Sequence, residues 1–140
     1  MKRVALIISA VIAAATVGVL TALGGSHAQA GQSSLVQAKL SEFSVSFQPK
    51  TVPAGKVTFS VRNAGTVEHE LVVVRRARGT LPIKNYKALE PQGAVVGEVE
   101  GIAPSKSGHV TLTLKAGRYL LICTVPGHYQ LGMRGTLFVR

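Results

Sequence analysis

Short stretches in which apolar and polar residues alternate recur from Leu35 to the end of the chain, and this period of two limits the fold most strongly. Every second residue is apolar in residues 56–62 and again in residues 110–115, so one face of each stretch needs a core. Turn-forming Pro, Gly and Asn residues separate these runs, and no helical period exceeds two turns. The chain is therefore predicted to be all-β.

Six to eight short strands in about 110 residues are typical of an antiparallel β-sandwich. The apolar, β-branched run 71–74 is short enough to be a strand inside a sheet. The alternation fades between Gly79 and Gly108. There we expect a long loop, with a short helical turn near residues 83–89 and a short strand around residues 95–99. A chain of 140 residues has room for one such domain.

Residues 1–30 have the composition of an export signal: a basic start, an apolar run over residues 4–23, and the small-residue motif Ala28-Gln29-Ala30. Cleavage is favoured because Ser, Thr and Gly dilute the run. The alternative is an uncleaved membrane-anchor helix, because twenty residues can cross a bilayer. In both cases residues 31–140 form a domain outside the cytoplasm, in the periplasm or secreted.

The domain is strongly basic. Without Lys2 and Arg3, the chain's 16 Lys and Arg residues fall to 14 against six Glu and no Asp, a formal net charge of +8. This balance favours an acidic partner or an anionic membrane surface. Nucleic acid is not expected as a partner, because the basic residues are scattered and aromatic residues are few.

Cys123 is the only cysteine, so it cannot form an internal disulfide. It is a buried thiol, an intermolecular link or a metal ligand. His128 and Met133 follow it at intervals of five residues, in a loop between two apolar strands, and Pro126-Gly127 presets the turn between them. A thiolate, an imidazole and a thioether together favour copper over the hard cations.

A second imidazole is needed to complete the trigonal donor set that tunes copper for electron transfer. His27 lies in the leader, and His109 begins an alternating strand on its polar side. His69 begins an apolar run just after a turn, so it lies at the end of a sheet, where it can meet Cys123. The predicted ligands of one copper ion, alternating between Cu(I) and Cu(II), are His69, Cys123, His128 and Met133.

Three elements of the chain resemble the cupredoxins, the plastocyanin and azurin-like family of type 1 blue copper proteins. They are the Pro53-Ala54-Gly55 turn before a Val-Thr-Phe strand, the Asn63-Ala64-Gly65 turn followed by His69, and the loop of residues 123–133. The resemblance covers essentially the whole mature chain. It implies a Greek-key β-sandwich of seven to eight strands with copper at one end. It also implies that His128 is the exposed ligand and electron port, within a small apolar patch.

One position departs from the family pattern. Many members have Asn directly after the first histidine ligand, where this chain has Glu70. A carboxyl group there could hydrogen-bond across the site when protonated, or lower the reduction potential when charged. Glu68 or Glu70 could also compete with Met133 as a ligand, and both alternatives stay open at this point.

The predicted function is transfer of single electrons between a donor and an acceptor, without enzymatic turnover. The partners are expected to be redox proteins with acidic docking surfaces, and the domain is expected to be a monomer that can associate with a membrane through residues 4–23. A copper-delivery or copper-resistance protein, a domain with an open copper position and a metal-free sandwich are the alternatives. Zinc is disfavoured because it gains little from a thioether.

Overall fold

The computed structural model describes residues 33–76, 78–85, 87–88 and 94–140. These residues form two packed β-sheets, a small hairpin and one short helix. The predicted signal or anchor segment, residues 1–30, lies outside the described residues. Within the described ranges no helix has the length and apolar character needed to cross a bilayer.

Within the described residues, eleven strands and one helix follow one another. They are β1 (Ser34–Ser41), β2 (Ser44–Gln48), β3 (Thr51–Val52), β4 (Gly55–Asn63), β5 (His69–Arg75), β6 (Ile83–Lys84), β7 (Lys87–Ala88), β8 (Val95–Ile102), β9 (Ser107–Leu114), β10 (Gly117–Ile122), α1 (His128–Leu131) and β11 (Arg134–Val139). One sheet has the order β2-β1-β4-β9 and the other the order β3-β11-β10-β5-β8. The predicted Greek-key β-sandwich is confirmed, and eight of these strands have five residues or more.

The strand pairing is mostly antiparallel, as the sequence profile indicated, but two pairs of strands are parallel. β1 pairs with β4 in parallel, and β3 pairs with β11 in parallel. The reason is a crossover: β2 ends in the first sheet, β3 joins the second, and β4 then returns to the first in the direction of β1. All other neighbouring strands in the two sheets are antiparallel.

The main core lies between the inner faces of the two sheets, and its fully buried members include Leu40, Phe59 and Leu121. β5 is buried on both faces, as predicted for residues 71–74. Leu71 and Val73 face this core, whereas its two other valines join a second cluster around Tyr129 of α1. β5 therefore has little freedom to move, which matters because it carries His69.

The helical turn expected near residues 83–89 is wrong over the part that the structure describes. Ile83 pairs with Ala88 and Lys84 with Lys87, so β6 and β7 form a hairpin. Asn85 has a φ of 50°, a left-handed conformation that Asn adopts more readily than most residues. The strand expected around residues 95–99 is present but runs on to Ile102.

Tyr129 ties α1 to the loop that precedes the hairpin. The tyrosine is 1% exposed, and its hydroxyl oxygen accepts a hydrogen bond from the backbone N–H of Leu81 at 2.6 Å. Tyr129→Phe would leave this buried N–H without its partner, so we expect the free energy of unfolding to fall by about 1–3 kcal/mol. Urea denaturation of the metal-free domain measures the change.

Tyr119→Phe is the matched control for this prediction. The Tyr119 hydroxyl donates to the carbonyl of Lys115 at 2.8 Å, and because Lys115 is exposed, water can replace the lost partner. A smaller loss of stability is therefore expected. Equal losses in the two variants would contradict the role assigned to Tyr129.

Candidate metal centre

The predicted ligands meet at the end of the sandwich where β5 begins and β10 finishes, here called the metal end. β5 and β10 are antiparallel neighbours, with Ile122 opposite Val72. His69 is the first residue of β5, and Cys123 directly follows the last residue of β10. The inference that His69 and Cys123 share one end of the sandwich is therefore confirmed.

Three backbone hydrogen bonds close the loop that carries the other two predicted ligands. The N–H of Cys123 donates to the carbonyl of Met133 at 3.1 Å, that of His128 to Val125 at 3.0 Å, and that of Met133 to His128 at 3.0 Å. Gly127, directly before α1, has a φ of 85°, which L-residues with side chains resist. The turn predicted from Pro126-Gly127 is present.

Three donor atoms form a compact triangle. Nδ1 of His69 lies 3.2 Å from Nδ1 of His128, and Sγ of Cys123 lies 4.0 Å and 3.5 Å from these two nitrogens. The point equidistant from all three is about 2.1 Å from each, within the usual metal–nitrogen and metal–sulfur bond lengths of about 2.0–2.3 Å. The triangle therefore fits one metal ion, and two imidazoles with a thiolate suit copper.

The four predicted ligands differ in exposure. His69, Cys123 and Met133 are fully buried, whereas the side chain of His128 is partly exposed. Met133 belongs to the main core and is joined to Cys123 through its backbone. His109 lies on the exposed outer face of β9 and is not part of the donor triangle.

Burial acts on two of the three donors in opposite directions, because it disfavours the charged form of each. Burial raises the pKa of the Cys123 thiol, against a smaller opposing effect of the backbone N–H groups of Glu70 and Val125. Burial, together with the nearby His69, lowers the pKa of His128, so its imidazole is neutral and can offer a lone pair. A metal cation must then displace the thiol proton when it binds.

Asn63 shapes the turn that leads to His69. The asparagine is fully buried, and its amide group donates to the carbonyls of Val67 and Ile102, both at 2.7 Å. Its side-chain oxygen accepts from the N–H of Gly65 at 2.8 Å. The sequence marked residues 63–65 only as a turn, and the structure adds that this side chain connects the turn to β8.

Glu42 is a site residue that sequence reasoning missed. Its Oε1 accepts hydrogen bonds from the N–H groups of Thr66 at 2.7 Å and Val67 at 3.0 Å. A hydrogen bond from its own backbone N–H, and then those from Val67 and Thr66, lower its pKa to about 2. The same oxygen lies 3.3 Å from Nε2 of His69. Nε2 is buried and has no aligned hydrogen-bond partner among the described residues, so this contact is electrostatic. No local motif could signal it, because 27 positions separate the two residues.

Glu70 accepts hydrogen bonds across the site. Its Oε1 receives the backbone N–H of Thr124 at 3.1 Å and also the Thr124 hydroxyl, so it links β5 to the residue after Cys123. Oε1 of Glu70 is thus directed at Thr124. The donor triangle consists of the two histidines and the cysteine and does not include Glu70. Glu68 is exposed.

The partly exposed ligand lies beside apolar side chains. The ring of Phe43 meets that of His128 edge to face, with ring centroids 5.4 Å apart. Phe43 is 42% exposed, and Val67 and Leu131, in neighbouring segments of the metal end, are 43% and 60% exposed. These three residues are called the apolar rim. The family resemblance implied such a patch, but it did not identify Phe43.

Comparison with known proteins agrees with this site. The sequence pattern of copper binding proteins of the plastocyanin/azurin family matches residues 34–140. The copper-resistant cuproprotein CopI of Rubrivivax gelatinosus is 32% identical over 99 residues, which cover 67% of this chain and 59% of that protein. The chain thus spans less than two thirds of this relative.

Solved structures share the fold. The dithionite-reduced auracyanin of Roseiflexus castenholzii superposes with a TM-score of 0.60 at 24% identity, over 79% of this chain and 99% of its own. The blue copper protein auracyanin A of Chloroflexus aurantiacus superposes with a TM-score of 0.55 at 28% identity, over 76% and 99% of the two chains. The matched pattern, the sandwich and the donor triangle agree, and the chain belongs to the plastocyanin/azurin family of copper-binding proteins, the cupredoxins.

Proposed function

We propose that this protein is an exported carrier of single electrons, and not an enzyme, and that His69, Cys123, His128 and Met133 would hold its one copper. The donor triangle carries the proposal, because its three atoms already stand at bonding distances from one central point. The burial of Met133 beside Cys123 supports the fourth ligand. When bound, copper supplies the one-electron couple.

The chain's own residues keep the donors in place. β5 and β10 fix His69 and Cys123 from two paired strands, and the hydrogen bonds of the loop hold His128 and Met133. A site that rearranges little between two oxidation states exchanges electrons with a small barrier. His128 offers the partly exposed edge for this exchange, and Phe43 restricts water around it.

The partners are proposed to be redox proteins that dock on the apolar rim around His128, with the domain acting as a monomer outside the cytoplasm. The leader in residues 1–30 supports export. Acidic docking surfaces on the partners stay a prediction from the net charge of the whole domain. The salt dependence of binding tests it, because affinity for an acidic partner falls as salt rises.

Copper resistance is the second candidate function, and the relation to CopI favours it. A protein that stores or delivers copper must release the ion to an acceptor, whereas an electron carrier keeps it through many redox cycles. Repeated oxidation and reduction in the presence of a strong Cu(I) chelator separates the two functions. Retention of copper supports the carrier, and loss on reduction supports delivery.

Visible and electron paramagnetic resonance spectra of the copper-loaded protein test the proposal. We expect intense visible absorption from thiolate-to-Cu(II) charge transfer. In Met133→Leu the absorption should persist, but the reduction potential should rise, because Cu(II) loses an axial donor that tunes the couple. A tenfold change in the ratio of Cu(II) to Cu(I) affinity corresponds to about 59 mV.

Leu131→Met is a conservative control for Met133→Leu, because Leu131 is an exposed member of the apolar rim. It should leave the reduction potential unchanged. An unaltered reduction potential in Met133→Leu would remove Met133 from the ligand set.

A further inference from the structure

The positive charge of the domain is concentrated at the end opposite the metal, here called the distal pole. This pole contains the residues before β1, both ends of β3, the start of β4, the loop after β5, the β9–β10 turn and the C-terminus. Eight basic residues lie there: Lys50, Lys56, Arg75, Arg76, Arg78, Lys115, Arg118 and Arg140. No acidic residue among those described lies at this pole.

The rest of the domain is close to neutral. The five described glutamates lie between the middle of the sandwich and the metal end; they are Glu42, Glu68, Glu70, Glu98 and Glu100. The six remaining basic residues share this half; they are Lys39, Arg62, Lys84, Lys87, Lys106 and Arg134. Long-range attraction to an anionic surface therefore turns the distal pole toward that surface.

The basic side chains of the distal pole are available to a partner. Six of the eight residues are exposed, and only Arg76 and Arg118 are partly buried. Arg118 holds the pole together, because its guanidinium donates to the carbonyl of Gly79 at 3.1 Å and to the Thr136 hydroxyl at 3.1 Å. The positive charges thus sit on a fixed framework, spread over several segments rather than gathered in one pocket.

The chain also enters the domain at this pole. β1 starts with Ser34 opposite Val57 near the beginning of β4, and the Thr58 hydroxyl donates to the Ser33 hydroxyl at 3.3 Å. The first 32 residues, with the apolar run 4–23, therefore join the domain beside the basic surface. A membrane that held this run would face the distal pole.

We propose that the distal pole lies against the anionic headgroups of a lipid bilayer. Charge complementarity and the entry point of the chain favour this occupant, and the wide spread of the cations fits a flat array of headgroups. An acidic protein is the competing occupant. In this arrangement the start of β5 and the end of β10 lie farthest from the bilayer, so His128 and the apolar rim face outward, toward soluble redox partners.

Co-sedimentation with lipid vesicles tests the proposal. The domain of residues 31–140 is suitable because it contains both sheets. An auracyanin chain, superposed over 99% of its length on 79% of this chain, has the same fold by itself. Vesicles of phosphatidylcholine with about one third phosphatidylglycerol should bind it at about 0.1 M salt, and pure phosphatidylcholine should not. A triple variant changes Lys56, Arg78 and Lys115 to Glu. Each basic residue near the surface contributes roughly fivefold to binding, so the partition coefficient should fall at least about 100-fold.

The matched control changes Lys39, Lys84 and Lys106 to Glu, which alters the net charge equally but on the metal half. This triple variant should lose no more than about fivefold, because charges beyond the screening length contribute little. Both variants should keep the copper absorption of the parent domain, which verifies folding. Equal losses in the two variants, or no binding to anionic vesicles by the parent domain, would overturn the proposal and leave an acidic protein as the occupant.

Discussion

Cys123→Ser is expected to abolish the visible absorption of the copper-loaded domain and to lower its copper affinity by well over 100-fold. The absorption requires thiolate electrons that a serine hydroxyl does not supply at these energies. Loss of a residue that merely orients a ligand already costs about 10–100-fold in metal affinity, so loss of a donor atom should cost more. Visible spectroscopy and competition with a copper chelator measure the two effects.

The fold should survive this change. Serine is close to cysteine in size, and leaving its hydroxyl without a partner in the buried site costs about 1–3 kcal/mol. His109→Ala is a suitable control, because His109 is exposed on β9 outside the donor triangle, and neither colour nor affinity should change. A parent domain that stays colourless with copper, and behaves like Cys123→Ser, would favour a metal-free sandwich.

Much of the fold follows from local sequence. The alternation of apolar and polar residues identifies the strands, because a half-buried strand must place every second side chain in the core. The run 71–74 was predictable for a different reason, because a strand buried on both faces has apolar residues at consecutive positions. The parallel pairing of β1 with β4 was not, because it depends on where the chain crosses between sheets. The hairpin of β6 and β7 was not predictable either, because it depends on which backbone groups form hydrogen bonds with one another.

The donor triangle was predictable for a different reason. A single cysteine in a chain with a predicted export signal is followed at regular intervals by His128 and Met133, and the place of His69 at the start of a strand supplied the second imidazole. The residues around the triangle could not be predicted in this way. Glu42 and Phe43 approach the histidines only because the β1–β2 turn folds over the metal end.

Two carboxylates flank the metal centre, and they act differently. Glu70 lies across from Thr124 and joins two segments that carry ligands. Glu42 approaches the outer nitrogen of His69 itself. A carboxylate at this nitrogen favours a proton on Nε2 and leaves Nδ1 free to face the metal, as carboxylates beside the outer nitrogen of other metal-binding histidines do. Its negative charge also favours the more positive oxidation state of the metal.

Glu42→Gln is therefore expected to raise the reduction potential of the copper site. With a pKa of about 2, Glu42 is ionised at neutral pH, and glutamine keeps its shape and an oxygen that can accept from Thr66 and Val67. Removing the charge destabilises Cu(II) more than Cu(I), because Cu(II) carries one more positive charge. A tenfold change in the affinity ratio corresponds to about 59 mV, which protein-film voltammetry resolves easily.

Glu68→Gln removes the same charge from an exposed position one residue before His69, so it is the matched control. Both carboxylates are exposed, but the electrostatic contact with a His69 ring nitrogen is made by Glu42 and not by Glu68, so the shift should be clearly smaller. Nuclear magnetic resonance of the metal-free domain gives a second readout, since the Nε2–H form of the His69 ring should lose population in Glu42→Gln but not in Glu68→Gln. Equal shifts in potential from the two variants would mean that Glu42 acts only through net charge. A larger shift in Glu42→Gln than in Glu68→Gln, together with the change of tautomer, would mean that Glu42 acts at the His69 ring.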